Sequence, residues 1–146
     1  MRANPVTHDE RRPPLPIVHK FRPEHNLVVS VWTGTVPDAE ALASYAELYA
    51  HEKWIPGMDE LADLRNADMT QITTDGLRGI AKLVREAIKG HGVEFRSAVI
   101  ASDELAQALI RLYGAINEES KEDACVFQTV DAAVEWLGVP EEVLED

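Results

Sequence analysis

Hydrophobic positions along the chain alternate between the two-residue period of strands and the period of about 3.6 residues typical of helices. Two β-rich runs, Ile17–Arg22 and Leu27–Thr33, are separated by the turn-like Pro23-Glu24-His25-Asn26 and predict a hairpin. The second run is almost continuously apolar, which is typical of a strand buried on both faces. Three further strands are predicted at Glu60–Arg65, Val93–Ala101 and Ala124–Gln128.

Four helices are predicted between and after these strands. Thr35 is the expected N-cap of the first helix, because a proline and then an acid follow it at capping-box spacing. The second helix is expected to begin near Thr73 or Thr74, and Ser102 is the expected N-cap of the third. The third helix is expected to bury the apolar side chains that recur at helical spacing: Leu105, Ala108, Leu109, Leu112 and Ile116.

The order β-β-α-β-α-β-α-β-α predicts a single α/β domain. Strands that alternate with helices imply crossover connections and a largely parallel sheet, to which the first hairpin adds an antiparallel edge. We therefore expect a mixed sheet of about five strands with four main helices, formed by residues 17–146. Residues 1–16 contain four prolines and five charges, and we expect them to form a flexible tail.

Residues between Asp63 and Leu77 carry a resemblance to a known family. Asp63-Leu64-Arg65-Asn66-Ala67 is typical of a strand and its exit loop, and Ile72-Thr73-Thr74-Asp75-Gly76-Leu77 then opens a helix. This segment resembles the STAS domains of bacterial anti-sigma-factor antagonists and sulfate-transporter tails, in which a strand ending in Asp-Leu leads to Asp-Ser-Ser-Gly-Leu. The resemblance covers about residues 17–138 and implies a STAS-like fold with a regulatory, non-catalytic role.

Small bacterial STAS-like proteins of unknown function resemble the chain more closely. They share the Asp-Leu-Arg strand and a late Ala-x-x-Trp-Leu motif, here Ala133-Val134-Glu135-Trp136-Leu137. At the superfamily level the shape is also similar to that of CRAL-TRIO-type lipid carriers. That more distant similarity implies a ligand-binding role as the alternative.

The start of the second helix is a candidate switch site. In the antagonists a partner kinase phosphorylates the first serine of the pair, and alignment on Gly76-Leu77 puts Thr74 at that position. Thr73 then replaces the preceding aspartate and Asp75 replaces the second serine. The candidate switch residues are Thr73, Thr74, Asp75 and Gly76. The same residues also fit an ordinary helix start, with a threonine N-cap and an acid in the first turn.

Two charged residues follow at the end of the third predicted strand. Asp63 and Arg65 are either a ligand site, because ligands of α/β sheets gather at the carboxyl ends of strands, or a structural ion pair. Together with Thr74 they form the set that we would test first.

Charge excludes one class of partner and indicates another. The chain has 14 basic and 26 acidic residues, a net charge of −12, which argues against a binder that follows nucleic-acid phosphates. Four cations nevertheless recur at spacings of 4, 3 and 4 in the second helix. The members of this basic stripe are Arg78, Lys82, Arg85 and Lys89. The stripe predicts docking of an acidic partner, a lipid head group or a second copy, unless it is an ordinary solvated helix face.

Aromatic residues are concentrated in the first strand-helix-loop unit: Trp32, Tyr45, Tyr49 and Trp54. Tyr45 and Tyr49 are four residues apart and share one face of a helix. The set forms an apolar pocket, a dimer contact or ordinary core packing, because tryptophan and tyrosine favour all three.

Motifs of catalysis are missing from the sequence. There is no Gly-x-Ser-x-Gly elbow and no phosphate-binding loop, and the five histidines lack ligand spacing, so we expect no catalytic residue, metal or cofactor. The single Cys125 fits a reducing cytoplasm. No apolar run approaches the ~20 residues of a membrane span, and we expect no secretory signal.

The leading functional hypothesis is a non-catalytic cytoplasmic module that binds a protein partner or itself as a homodimer. The alternative is a carrier or sensor of a lipid or another small apolar ligand.

Overall fold

The computed structural model describes residues 15–146 of the chain. The predicted tail therefore lies outside the described residues, apart from Leu15 and Pro16. The strands are β1 (Ile17–Arg22), β2 (Leu27–Thr35), β3 (Asp59–Asp68), β4 (Phe95–Ile100) and β5 (Glu122–Phe127). The helices are α1 (Asp38–Ala50), α2 (Thr74–Ile88), α3 (Glu104–Ile116) and α4 (Val130–Leu137), with short 3-10 turns at Pro23–His25 and Glu141–Leu144.

One mixed sheet contains all five strands in the order β1-β2-β3-β4-β5. β1 pairs antiparallel with β2, and every later pair is parallel. Each parallel connection passes through a helix, because parallel neighbours need a crossover. The predicted α/β class, mixed sheet and element order are confirmed.

Helices cover both faces of the sheet. Helices α1, α2 and α3 contribute to the core on one face, and α4 with the last 3-10 turn covers the other. In β2, Val28 and Trp32 join the three-helix core, whereas Leu27 and Val29 join the α4 core. The apolar run of β2 is continuous because alternate side chains of a strand enter different cores.

Capping residues confirm one predicted helix start and correct two. Thr73 is the N-cap of α2. Thr35 is not a cap, because its pairing with β3 keeps it in β2, and Pro37 precedes α1 instead. The cap of α3 is Asp103 rather than Ser102, since the Asp103 side chain accepts the N–H of Ala106 in the first turn of the helix.

The buried face of α3 agrees with the predicted stripe only in part, since Leu109 and Ile116 pack half-buried against the three-helix core. Ala106, Ile110 and Tyr113 are buried, whereas Leu105 and Leu112 are 45% and 38% exposed. Both sets recur at helical spacing, so the sequence of α3 contains two apolar faces. Periodicity alone does not say which of two such faces meets the sheet.

No described helix combines the length and the apolar character needed to cross a membrane.

Candidate functional site

A cavity of about 50 Å³ lies in the core between the sheet and the three-helix layer. We call it the tyrosine–glutamate cavity. Most of its wall is aliphatic, but aromatic and carboxyl side chains from five different elements also line it. They are Trp32, Tyr45, Tyr49, Glu60, Tyr113 and Glu122.

The sheet register brings the two carboxyl groups to the same face. Glu60 of β3 is the register partner of Ser97 of β4, and Ser97 is in turn the partner of Ala124. Glu122 precedes Ala124 by two residues, so it points to the same side of β5. Glu60, Ser97 and Glu122 therefore form a polar row beneath the helices, near the amino ends of their strands.

Glu122 is surrounded by hydrogen-bond donors. The Ser97 hydroxyl donates to Oε2 at 2.7 Å, and the Tyr113 hydroxyl donates to Oε1 at 2.5 Å. The Asn117 side-chain amide also donates to Oε1. Burial, together with the charge of Glu60, raises the pKa of Glu122 to about 7, although these hydrogen bonds act to lower it. Both protonation states of Glu122 are therefore populated near neutral pH.

Glu60 has fewer donors. The Tyr45 hydroxyl donates to Oε2 at 2.7 Å and itself accepts from Trp32 Nε1 at 3.3 Å. Burial raises the pKa of Glu60, while the Ser30 and Tyr45 hydroxyls oppose that change. Within residues 15–146, Glu60 Oε1 accepts no hydrogen bond of normal geometry, and neither cavity glutamate forms an ion pair.

Tyr49 forms the partly exposed aromatic wall of the cavity. Its ring lies 6.1 Å from that of Tyr45 and packs edge-on against Trp54 at 4.9 Å. Trp54 does not line the cavity, because it packs behind Tyr49 beside Ile88 and Phe95. Three members of the predicted aromatic set therefore meet at the cavity, and Trp54 supports them.

Glu60, Tyr113 and Glu122 were missed by the sequence reasoning. One signal was present, since the two-residue period of a strand puts Glu60 on the same face as Ala62 and Leu64, where a charged side chain is unusual. No local signal distinguished Glu122 or Tyr113. Their roles depend on which face of β5 and α3 meets the other elements.

The start of α2 is already occupied by a carboxylate from α1. Asp38 accepts hydrogen bonds from the backbone N–H and the hydroxyl of Thr73, at 3.0 and 2.5 Å. The Thr73 hydroxyl in turn accepts from the N–H of Gly76 at 3.1 Å. A Cβ at Gly76 would lie 2.0 Å from Asp38 Oδ1, so this close approach requires glycine.

The other candidate switch residues surround this contact. Thr74 is half-buried at the first position of α2, and Asp75 is exposed and forms a 3.4 Å ion pair with Arg78. A phosphate on Thr74 would join two carboxylates, Asp38 and Asp75, at one helix start. Phosphorylation of Thr74 stays a prediction.

Asp63 and Arg65 form an ion pair on the opposite face of the sheet. Arg65 donates to both carboxylate oxygens of Asp63, at 2.9 and 2.8 Å. Burial alone would raise the pKa of Asp63, but the hydrogen bonds from Arg65 lower it. Asp63 lies two residues after Leu61 and is therefore on the same α4 side of the sheet. The pKa of Arg65 is raised by its hydrogen bonds to Asp63 and also by the charge of Glu141 in the last 3-10 turn. The set of Asp63, Arg65 and Thr74 is therefore separated by the sheet.

The basic stripe is exposed along α2. Gly76 and Gly79 face Asp38 and Leu42 of α1, so helical geometry puts the stripe on the other flank of α2. Arg85 Nη1 lies 3.4 Å from Asn117 Oδ1 at the end of α3, which agrees with this orientation. Among the described residues, the one ion pair of the stripe is the exposed contact between Arg78 and Asp75.

Residues 15–146 contain no group of three side chains arranged to hold a metal ion.

Comparison with solved structures gives a match that informs the fold. No family model and no curated protein matches the chain. A solved structure of an uncharacterized protein from Shewanella loihica PV-4, of the DUF3478 family and with a SpoIIAA-like fold, is similar to it. The TM-score is 0.53 at 20% sequence identity, and the match covers 83% of this chain and 91% of the other. At this identity the match speaks to the fold alone, and it confirms that the chain has the SpoIIAA-like, STAS-like fold that the residues from Asp63 to Leu77 predicted.

Proposed function

We infer that the domain is a non-catalytic, cytoplasmic interaction module that binds an acidic amphipathic helix of a partner protein across the exposed faces of α2 and α3. The observation that carries this proposal is the outward apolar face of α3. Leu105 and Leu112 are two turns apart on one side of the helix, and both are substantially exposed. Ala108, which lies between them, is exposed as well.

An apolar helix face in water favours association. Burial of apolar surface yields about 25 cal/mol per Å², so covering two leucines contributes measurable affinity. Contiguous apolar patches with a charged border are typical of protein-binding sites. A helix that places its own apolar stripe on this face would match the spacing of Leu105, Ala108 and Leu112.

The charge of the neighbouring helix selects an acidic partner. The basic stripe of α2 lies on the flank turned away from α1, and Arg85 reaches the end of α3. The stripe is a local exception in a chain whose net charge is −12. Complementary charge at the border of an apolar patch speeds encounter and excludes partners of the wrong sign.

Two designed peptides test the docking surface. Both carry a leucine stripe at helical spacing, with glutamates elsewhere in one peptide and lysines elsewhere in the other. In fluorescence anisotropy we expect saturable binding of the acidic peptide, weakened about tenfold by the double change Leu105→Gln and Leu112→Gln. The pair Lys82→Glu and Arg85→Glu should act similarly, and its effect should shrink in high salt.

Matched controls separate docking from general surface effects. Val18→Gln removes an exposed apolar side chain from β1, and Lys121→Glu reverses an exposed charge outside the stripe. Neither should change peptide binding. Equal binding of the acidic and basic peptides would contradict the charge argument. A dimer in sedimentation that disappears with the leucine changes would make a second copy the partner.

The tyrosine–glutamate cavity supports a second candidate, a carrier or sensor of a small ligand. Its volume of about 50 Å³ is far below the ~300–1,000 Å³ of pockets that hold drug-sized ligands. A lipid would therefore require α2 and α3 to separate from the sheet. Native mass spectrometry tests this candidate, because a carrier should show added mass that disappears on denaturation, and bare polypeptide mass would count against it.

A further inference from the structure

Aromatic rings and carboxyl oxygens surround the same small volume in the tyrosine–glutamate cavity. Tyr45 and Tyr49 enter from α1 and Trp32 from β2, while Glu60 and Glu122 enter from the sheet. Aromatic faces attract cations through the ring quadrupole, and aromatic cages are a known means of binding substituted ammonium groups. Carboxyl oxygens in addition accept the N–H hydrogen bonds of an ammonium ion.

Hydrogen-bonding capacity is left over at the cavity wall. Glu60 is 8% exposed, and its Oε1 accepts no hydrogen bond of normal geometry from the described residues, although the Ser30 hydroxyl lies close enough to the carboxylate to lower its pKa. The Tyr49 hydroxyl likewise makes no hydrogen bond within residues 15–146, although every fully buried polar side-chain atom there has a partner. Both groups therefore have capacity to bind something that enters the cavity.

The charge of the site is also uncompensated by the protein. The acids on the other side of the sheet, Asp59 and Asp63, have arginine partners, whereas Glu60 and Glu122 have no ion-pair partner within residues 15–146. Burying a carboxylate without a cation is unfavourable, so each of these carboxyl groups is either protonated or compensated by a cation from outside.

Size limits the cation to a very small one. An engineered apolar cavity of ~150 Å³ binds benzene, which has six non-hydrogen atoms. The present cavity of about 50 Å³ is one third of that size and corresponds to about two such atoms. Choline and other quaternary ammonium ions are therefore too large for it.

From the rings, the free acceptors and the volume, we propose that the tyrosine–glutamate cavity binds a small primary ammonium ion of the size of methylammonium. The three N–H groups bond Glu60 Oε1, the Glu122 carboxylate and the Tyr49 hydroxyl, and the methyl group contacts the neighbouring aromatic rings. This site is independent of the docking surface on α2 and α3. A ligand of two non-hydrogen atoms has little to bind with, so the dissociation constant is expected to be no tighter than several millimolar.

Binding is coupled to protons. One ammonium ion enters as a proton leaves a cavity carboxyl group, because the ion replaces the proton as the compensating charge. The titratable groups that face the site from all packed elements are His19, Tyr45, Tyr49, Glu60, Tyr113 and Glu122. Burial holds the pKa of His19 at about 4 and raises the pKa of the three tyrosines, so Glu122, with a pKa of about 7, is the group that exchanges protons near neutral pH.

A chemical-shift titration with methylammonium chloride tests the site in the full-length protein. Potassium chloride at equal ionic strength controls for salt, and methanol is the neutral analogue of similar size. We expect saturable shifts at Glu60, Glu122 and Tyr49 with methylammonium alone. Affinity should be at least about tenfold weaker at pH 5 than at pH 8.

Variants make the test specific. Glu122→Gln should weaken binding about tenfold and reduce its pH dependence, and Tyr49→Phe should weaken it severalfold without unfolding the protein, because the lost hydroxyl has no partner among residues 15–146. Glu52→Gln, an exposed change, should have no effect. Shifts that do not saturate, that methanol or potassium chloride reproduces, or that persist unchanged in both cavity variants would overturn the proposal.

Discussion

The two faces of the sheet bury acids in opposite ways. On the α4 side, Asp59 and Asp63 form ion pairs with Arg96 and Arg65. On the three-helix side, Glu60 and Glu122 have tyrosine, serine and asparagine partners and, among the described residues, no cation. The first face is filled by aliphatic side chains, whereas the second contains the cavity.

This difference separates a face that reinforces the fold from the face on which we propose a binding site. Arg96 shows how the α4 side is reinforced, since it pairs with Asp59, donates to the last carbonyls of α4 and lies 5.3 Å from the Trp136 ring. Glu60 and Glu122 instead keep carboxyl groups in a low-dielectric core at a cost in stability. Unpaired buried acids beside a cavity are typical of sites that bind or exchange something.

The largest effect is expected in the aliphatic core of the α4 side. Leu61 is fully buried there, so Leu61→Ala should lower the free energy of unfolding by about 2–5 kcal/mol. Leu112→Ala, the same change at an exposed position of α3, should cost less than about 0.5 kcal/mol. Urea denaturation of both variants measures the difference. Equal losses would mean that α3 buries the leucine face that its periodicity predicted.

A smaller and pH-dependent effect is expected at Glu122. Its pKa is raised in the folded protein, so the folded state holds a proton that the unfolded chain releases as the pH rises from about 4.5 to about 7. The contribution of Glu122 to the free energy of unfolding is therefore fully present at low pH. Up to about 3 kcal/mol of it is lost as the pH rises through that range. Glu122→Gln should remove this loss.

Denaturation curves of the wild type and Glu122→Gln between pH 4 and 8 check the sign. The variant should gain stability relative to the wild type as the pH rises. Glu52→Gln should follow the wild type throughout, because Glu52 is exposed. A variant that loses relative stability on going to pH 8 would show that Glu122 is stabilised as a carboxylate.

The smallest effect is expected at Asp63, with the opposite sign. Burial acts to raise the Asp63 pKa, but the hydrogen bonds from Arg65 outweigh it and lower the pKa. The pair therefore stabilises the fold at pH values above the usual pKa of aspartate, and this stabilisation is lost as the pH falls. Asp63→Asn should cost about 1 kcal/mol at pH 7, since the Arg65 side chain is 44% exposed and partly screened. The cost measured by denaturation should shrink at pH 2–3, and a constant cost would refute an electrostatic origin.

Local patterns determined the fold. The turn after β1, the apolar run of β2, the Thr73 cap and the alternation of strands with helices each depend on neighbouring residues, and together they specified the mixed five-stranded sheet. Hydrophobic period and capping chemistry act over a few residues, so they are readable in the sequence. The predicted grouping of Tyr45 with Tyr49 also rests on one helical turn.

Tertiary structure decided the candidate site. Asp38 meets Thr73 across 35 positions of the chain, and Tyr45 meets Glu60 across 15. The rotation of α3 determines that Tyr113 reaches Glu122 and that Leu105 and Leu112 face outward. Such contacts depend on which of several compatible faces gives the lowest total packing and electrostatic energy, a property of the assembled elements that no local pattern encodes.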